Sequence, residues 1–236
     1  MHFMSKENNK IYFSNSPYIN GHKVVDFVWN ARLDENFNVI MDLHLESDQY
    51  DEEDEYTDAI EDIDDISAET TEKSLWINYD HCIVSSNFWG NKGIKLETDI
   101  EQLDFKNLNN KTFQLDTLPV DLTKDEGDFA FGISMLGKDI IANHEITFID
   151  TEEFGVFDIK WKAKVANVYL GEDTFDYDFY TYMKNIRFAG FKIHKSLNIE
   201  EVEKFLKDKL VNYDEFELIE TEEFDLENHI LKLKAR

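Results

Sequence analysis

The chain has 236 residues, with 51 Asp plus Glu against 24 Lys plus Arg, and a formal net charge of −27 at pH 7. Such a surface repels nucleic-acid phosphates and anionic membranes, because either would add like charge to an already repulsive field, so direct binding to DNA, RNA or lipid headgroups is not expected. Cys82 is the single cysteine, which excludes an intrachain disulfide, and no apolar run approaches the roughly 20 residues of a membrane-spanning helix.

A chain of this length buries about 70% of its unfolded surface and needs neither disulfide nor metal to hold a core. The expectation is one domain over residues 1–236, or two tightly packed β-rich halves of about 1–118 and 119–236. Met1–Lys10 is polar and lacks the apolar stretch of a signal peptide, so a soluble, cytoplasmic protein is expected. Nineteen Phe, ten Tyr and four Trp suit pleated, half-buried surfaces, and the fold class read from them is α+β, mainly antiparallel sheet arranged as meanders.

Val24–Trp29 and Phe37–Leu45 read as a first hairpin, the second strand placing Phe37, Val39, Met41, Leu43 and Leu45 on one face at period two. The stretch from Leu33 to Glu72 then contains no Lys or Arg and carries a dense acidic block: Asp51, Glu52, Glu53, Asp54, Glu55, Asp58, Glu61, Asp62, Asp64 and Asp65. Crowded like charges favour a solvated loop. The helical spacing of Tyr56, Ile60 and Ile63, with acids in the first turn, equally fits an acidic helix on the sheet, and both readings stay open.

Leu75–Ser85 follows as a strand with Leu75, Ile77, Tyr79, His81 and Ile83 on one face, then a glycine-flanked loop at Phe88–Asn91 and a short strand at Ile94–Glu97. Asp99–Asn110 is turn-rich with an apolar stripe of Ile100, Leu103, Phe105 and Leu108, and Thr112–Leu118 is a strand ended by Pro119. In the second half Phe129–Leu136 and Ile140–Ile149 flank a turn at Gly137-Lys138-Asp139. Phe154–Leu170 puts Ile159, Trp161, Ala163 and Val165 inward and Lys160, Lys162 and Lys164 outward; Phe175–Met183 and Ile186–Ile193 continue the meander. Asn198 N-caps a helix whose apolar face is Ile199, Val202, Phe205, Leu206 and Leu210, and Tyr213–Phe224 and His229–Leu233 read as final strands.

No glycine-rich phosphate loop is present, and no cofactor is expected. Asn143-His144-Glu145 has Phe148 where a zinc-protease helix needs its second His, so no metal is expected there; His144 reads as a core or sheet-face residue in phase with Ile140, Ala142, Ile146 and Phe148. His81 and Cys82, as strand neighbours, point to opposite faces, which disfavours a nucleophile pair made from those two, although His44 could approach Cys82 in space. The acidic block lacks the ligand alternation and central glycine of a calcium loop.

The expected function is therefore a non-enzymatic binding or inhibitor protein whose acidic block meets a basic protein partner. In physical type, though in no residue motif, this is the profile of immunity proteins against nucleases and of DNA mimics. The alternatives are an enzyme or small-molecule binder with a site assembled from sequence-distant residues, and a generic acidic surface serving solubility.

Overall fold

The computed structural model describes residues 7–16, 18, 20–49, 76, 79–96, 102–135, 137–168, 171, 173–219 and 228–234. The ten acids from Asp51 to Asp65, and with them the question of loop or helix, lie outside the described residues.

Among the described residues twelve strands form one sheet: β1 (Lys10–Phe13), β2 (His22–Leu33), β3 (Val39–Ser47), β4 (Ile83–Ser85), β5 (Ile94–Lys95), β6 (Thr112–Leu115), β7 (Gly132–Ser134), β8 (Lys138–Asp150), β9 (Val156–Ala166), β10 (Tyr177–His194), β11 (Phe216–Ile219) and β12 (Asn228–Leu233). Their order is β1-β2-β3-β4-β7-β8-β9-β10-β12-β11. The path does not stop as an open meander. β10 returns to pair antiparallel with β1 (Phe13 opposite Phe179) and parallel with β2 (Trp29 opposite Phe188), closing β1, β2, β3, β4, β7, β8, β9 and β10 into an eight-stranded barrel. The expectation of meanders is corrected to a barrel. Closure removes the exposed edges that an open sheet of this length would carry.

The hairpin of β2 and β3 forms as its periodicity predicts, with Val39, Met41, Leu43 and Leu45 buried. Its turn is tied by Asp34, whose carboxylate accepts from the backbone N–H groups of Asn36 and Asn38, both at 2.8 Å, and Phe37 leaves the strand to stack on Phe205. β9 also follows its predicted phase: Ile159, Trp161, Ala163 and Val165 are in the core, while Lys162 and Lys164 reach Glu145 and Asp178 across the neighbouring strands, each at 2.7 Å.

Two bulges, each holding an Asn at positive φ, break the period elsewhere. Between Ala142 and Glu145 the extra residue at Asn143 flips the phase, so Ile141 rather than half-buried Ile140 joins His144, Ile146 and Phe148 inside, while Ala142, also buried, lies outside the main apolar cluster. Between Met183 and Ile186, Asn185 does the same, so the two strands expected at Phe175–Met183 and Ile186–Ile193 are one 18-residue strand.

Other expectations shift as well. β1 begins at the end of the polar Met1–Lys10 stretch, in a segment the sequence reading left unassigned, the turn at Gly137-Lys138-Asp139 is shortened because β8 starts at Lys138, and β7 and β4 keep three residues each. Tyr79 and His81 do not share a strand with Ile83, because β4 begins only at Ile83; Trp76 and Tyr79 pack instead on Phe13, closing one barrel end with aromatic rings. Leu75 and Ile77 lie outside the described residues.

The other end is packed by Trp29, Phe148, Phe157 and Phe188, and by a short 3-10 turn, Phe105–Leu108. Against it sits α1 (Ile199–Lys209), capped by the Asn198 side chain, which accepts from Glu200 N–H at 3.0 Å, with Val202 and Leu206 buried. Leu103 ties the 3-10 turn to the end of this helix, its N–H donating to Lys209 O at 2.7 Å and its carbonyl accepting from Val211 N–H at 2.9 Å.

Candidate functional site

Groups with catalytic potential are best judged by what already occupies them. Trp161 Nε1–H donates to His144 Nδ1 at 3.1 Å, which leaves the proton of the neutral ring on Nε2, 3.7 Å from an Asp116 oxygen. The imidazole is fully buried and edge-on to Phe131, and burial pushes its pKa down to about 3. A general base needs an available lone pair within reach of a substrate. His144 has given its lone pair to Trp161, and it acts as an interior polar link.

His22 stands edge-on to Tyr18 and Tyr79, with ring centroids 4.8 and 4.7 Å away, and burial pushes its pKa down to about 4. Cys82 lies in the core, where burial and the nearby Asp139 push the thiol well above its usual range. His44, the histidine that could have met it, is on the outer face of β3, with Asp26, Glu46 and Phe88 as neighbours. Cys82 should therefore resist a thiol-specific reagent at about pH 8 in the native protein and react fully in urea; rapid native labelling would contradict its burial. Among the described residues no group of three or more His, Cys, Asp or Glu is placed to hold a metal ion. No helix among them is long and apolar enough to cross a membrane.

What stands out on the surface is an aromatic tip amid carboxylates. The registers of β2, β3 and β4 set Asp26 opposite Glu46, and Val28 opposite His44, which in turn faces Ser85. With Leu43 and Leu45 inside, this row is the outer face of the barrel wall. The loop leaving β4 is pinned over it. Ser85 Oγ accepts from Phe88 N–H at 3.1 Å, Ser86 Oγ donates to Asp42 at 2.6 Å, and Asn91 Nδ2 donates to Glu126 O at 2.7 Å. The Trp89 ring lies so close over Gly132 that a Cβ there would come within 2.7 Å of it.

These ties leave Phe88 projecting, 62% exposed, its ring stacked on His44 and edge-on to Trp89. The His44 ring is 3.8 Å from an Asp26 oxygen and 4.0 Å from a Glu46 oxygen, and both carboxylates are solvent-accessible. A bulge between Val24 and Asp26 accompanies the exposure of Val25, so a second large apolar side chain belongs to the same strand end.

Sequence reading marked the loop at Phe88 by its Gly90 but gave it no role; it took Glu46 only as the start of the acidic stretch Glu46–Ile66 and did not single out Asp26. Two large aromatics side by side in a glycine-flanked loop were the available signal. The ten acids expected to meet a partner follow β3 in the chain but are not among the described residues. No protein-family model, no curated protein and no solved structure matches this chain.

Proposed function

We propose that this chain is a non-enzymatic binding protein that engages a basic protein partner, with Phe88 as an apolar anchor and Asp26 and Glu46 as its charged rim. The observation that supports this reading most directly is the exposed Phe88 ring held on a pinned loop beside two accessible carboxylates, in a chain of net charge −27. An aromatic anchor surrounded by polar groups is the usual anatomy of an energetically dominant interface residue. A Phe face also attracts Lys or Arg, which the carboxylates would pair with in turn. The acidic block from Asp51 to Asp65 would add long-range attraction, speeding encounter more than it strengthens the final complex.

The test is capture from the source cell at low salt, followed by binding kinetics with the purified partner. The expected partner has a basic isoelectric point, and its association rate falls steeply with ionic strength. Replacing Glu52, Glu53, Asp54 and Glu55 with their amides should slow association by about tenfold and leave folding intact, whereas Phe88→Ala should act on dissociation and weaken binding by about 1–2 kcal/mol. Recovery of the same partners with unchanged rates by the amide variant would remove the acidic block from the mechanism. Recovery of no basic partner by any version would favour a small-molecule binder or an acidic surface serving solubility.

A further inference from the structure

The barrel wall parts at the end packed by Trp29. β3 pairs with β4 at His44–Glu46 but with β5 at Ile40 and Met41, and β8 pairs with β7 at its start but with β6 from His144 to Thr147. β4 and β7 pair with each other and complete the wall, whereas β5 and β6 have no pairing between them among the described residues. Behind that gap is a cavity of about 480 Å³ lined by Trp29, Met41, Phe105, Leu108, Phe188 and Phe191.

Protein interiors are packed nearly as densely as organic crystals, and a void bordered by Trp and Phe forfeits the dispersion contacts that a filled one would make. The volume lies within the roughly 300–1,000 Å³ of small-molecule sites, which are mostly apolar, carry a few polar groups at one side, and recur in the mouths of β-barrels. The polar residues of its lining are Lys95, Lys111, Gln102, Asp104 and Asn107. The Asp104 carboxylate is already used, accepting from Lys106 N–H at 2.9 Å to cap the 3-10 turn. Lys95 and Lys111 make no ion pair among the described residues, and Lys111 Nζ lies 5.1 Å from the centre of the Phe113 ring, at the lip of the cavity.

We infer that the barrel mouth binds an amphiphile with a hydrocarbon body and a carboxylate head, the body filling the aromatic cavity and the head meeting Lys95 and Lys111. The net charge of the chain opposes an anion at long range. That field is screened within about 8 Å at physiological ionic strength, so the two ammonium groups dominate at contact. This inference stands apart from the acidic face around Phe88 and does not depend on it.

The experiment is calorimetric titration of the full chain with dodecanoate, dodecanol and dodecylammonium below their aggregation concentrations. Dodecanoate should bind at a single saturable site, dodecanol roughly tenfold more weakly, and dodecylammonium more weakly still. Lys95→Gln combined with Lys111→Gln should erase the preference for the carboxylate while leaving dodecanol binding unchanged. Ala31→Phe, which fills the cavity from the wall, should abolish binding of all three. Should that variant fail to fold, Leu96→Trp at the partly buried rim replaces it, with the same expected loss. Equal affinity for dodecanoate and dodecanol would overturn the assignment of the head group and leave the cavity standing. Absence of saturable binding by the unmodified chain, or binding undiminished by a folded blocking variant, would overturn the site itself.

Discussion

Trp29→Ala should lower the free energy of unfolding by about 3–5 kcal/mol, among the largest effects of any single truncation in this core. The Trp29 side chain is fully buried and its ring meets Phe188 at 4.9 Å, Phe148 at 5.1 Å, Phe157 at 5.6 Å and Phe105 at 5.7 Å between centroids. These partners come from β8, β9, β10 and the 3-10 turn, so the indole joins elements that the chain separates widely, and truncation leaves a hole that such rigid rings fill poorly. The indole N–H has no hydrogen-bond partner among the described residues. Trp29→Phe therefore removes an unsatisfied donor together with part of the ring, and should cost clearly less than Trp161→Phe, which strands His144 Nδ1 without its donor. Urea unfolding of the three variants checks the order. A loss below about 1.5 kcal/mol for Trp29→Ala would mean that the barrel end collapses around the gap.

How far the sequence disclosed this fold depends on the range of the interaction involved. The hairpin of β2 and β3, the inward row of β9 and the Asn198 cap were legible because each is set by residues near one another: a period of two, or a capping side chain two positions from the N–H it serves. The phase of β8 was misread because one residue, Asn143, takes a positive φ, and every side chain before it then faces the other way. Barrel closure rests on pairs such as Phe13 with Phe179 and Trp29 with Phe188, about 160 residues apart, and nothing local in either strand announces the other. The same holds for both candidate sites. The cavity draws on residues from Trp29 to Leu210, and the exposure of Phe88 depends on Ser85 holding its N–H within the loop and on Ser86 and Asn91 tying that loop to the Asp42 side chain and the Glu126 carbonyl. Composition alone made the acidic character plain, and it suggests a class of partner without locating a contact.

Arg32→Gln should destabilise the protein by about 2–3 kcal/mol near pH 7, and by much less near pH 4.5. Asp42 sits on the outer side of β3 yet is only 3% exposed, because the loop from Ser86 to Gly93 covers it. The backbone is so close there that a Cβ on Gly93, at φ +64°, would come within 2.8 Å of the Asp42 carboxylate. Arg32 Nη1 donates to Asp42 Oδ1 at 2.5 Å, Nη2 donates to the carbonyl of Asn91 at 2.8 Å, and Ser86 Oγ supplies a further donor to the carboxylate at 2.6 Å. Removing the guanidinium leaves a buried anion with one neutral donor. The cost of breaking a fully buried pair, about 3–5 kcal/mol, is reduced here because Arg32 remains 30% exposed.

The pH dependence follows from Asp42 itself. Burial raises its pKa above the ordinary value of 3.8, with Arg32 and Ser86 pulling it partly back. A carboxyl whose folded pKa is raised contributes its stabilisation in full below the unfolded pKa, and that contribution is lost as pH rises through the folded one. Without Arg32 the folded pKa climbs further, so the variant relieves its buried charge by protonation more readily as the pH falls. Adding Asp42→Asn to Arg32→Gln should then restore most of the lost stability at pH 7, since no anion remains to be compensated. The check is the difference from the unmodified chain in urea unfolding at the two pH values. An equal penalty at both would assign the loss to the missing bonds to the Asn91 and Lys92 carbonyls, and would place the strain in the loop anchorage instead of in the buried carboxylate.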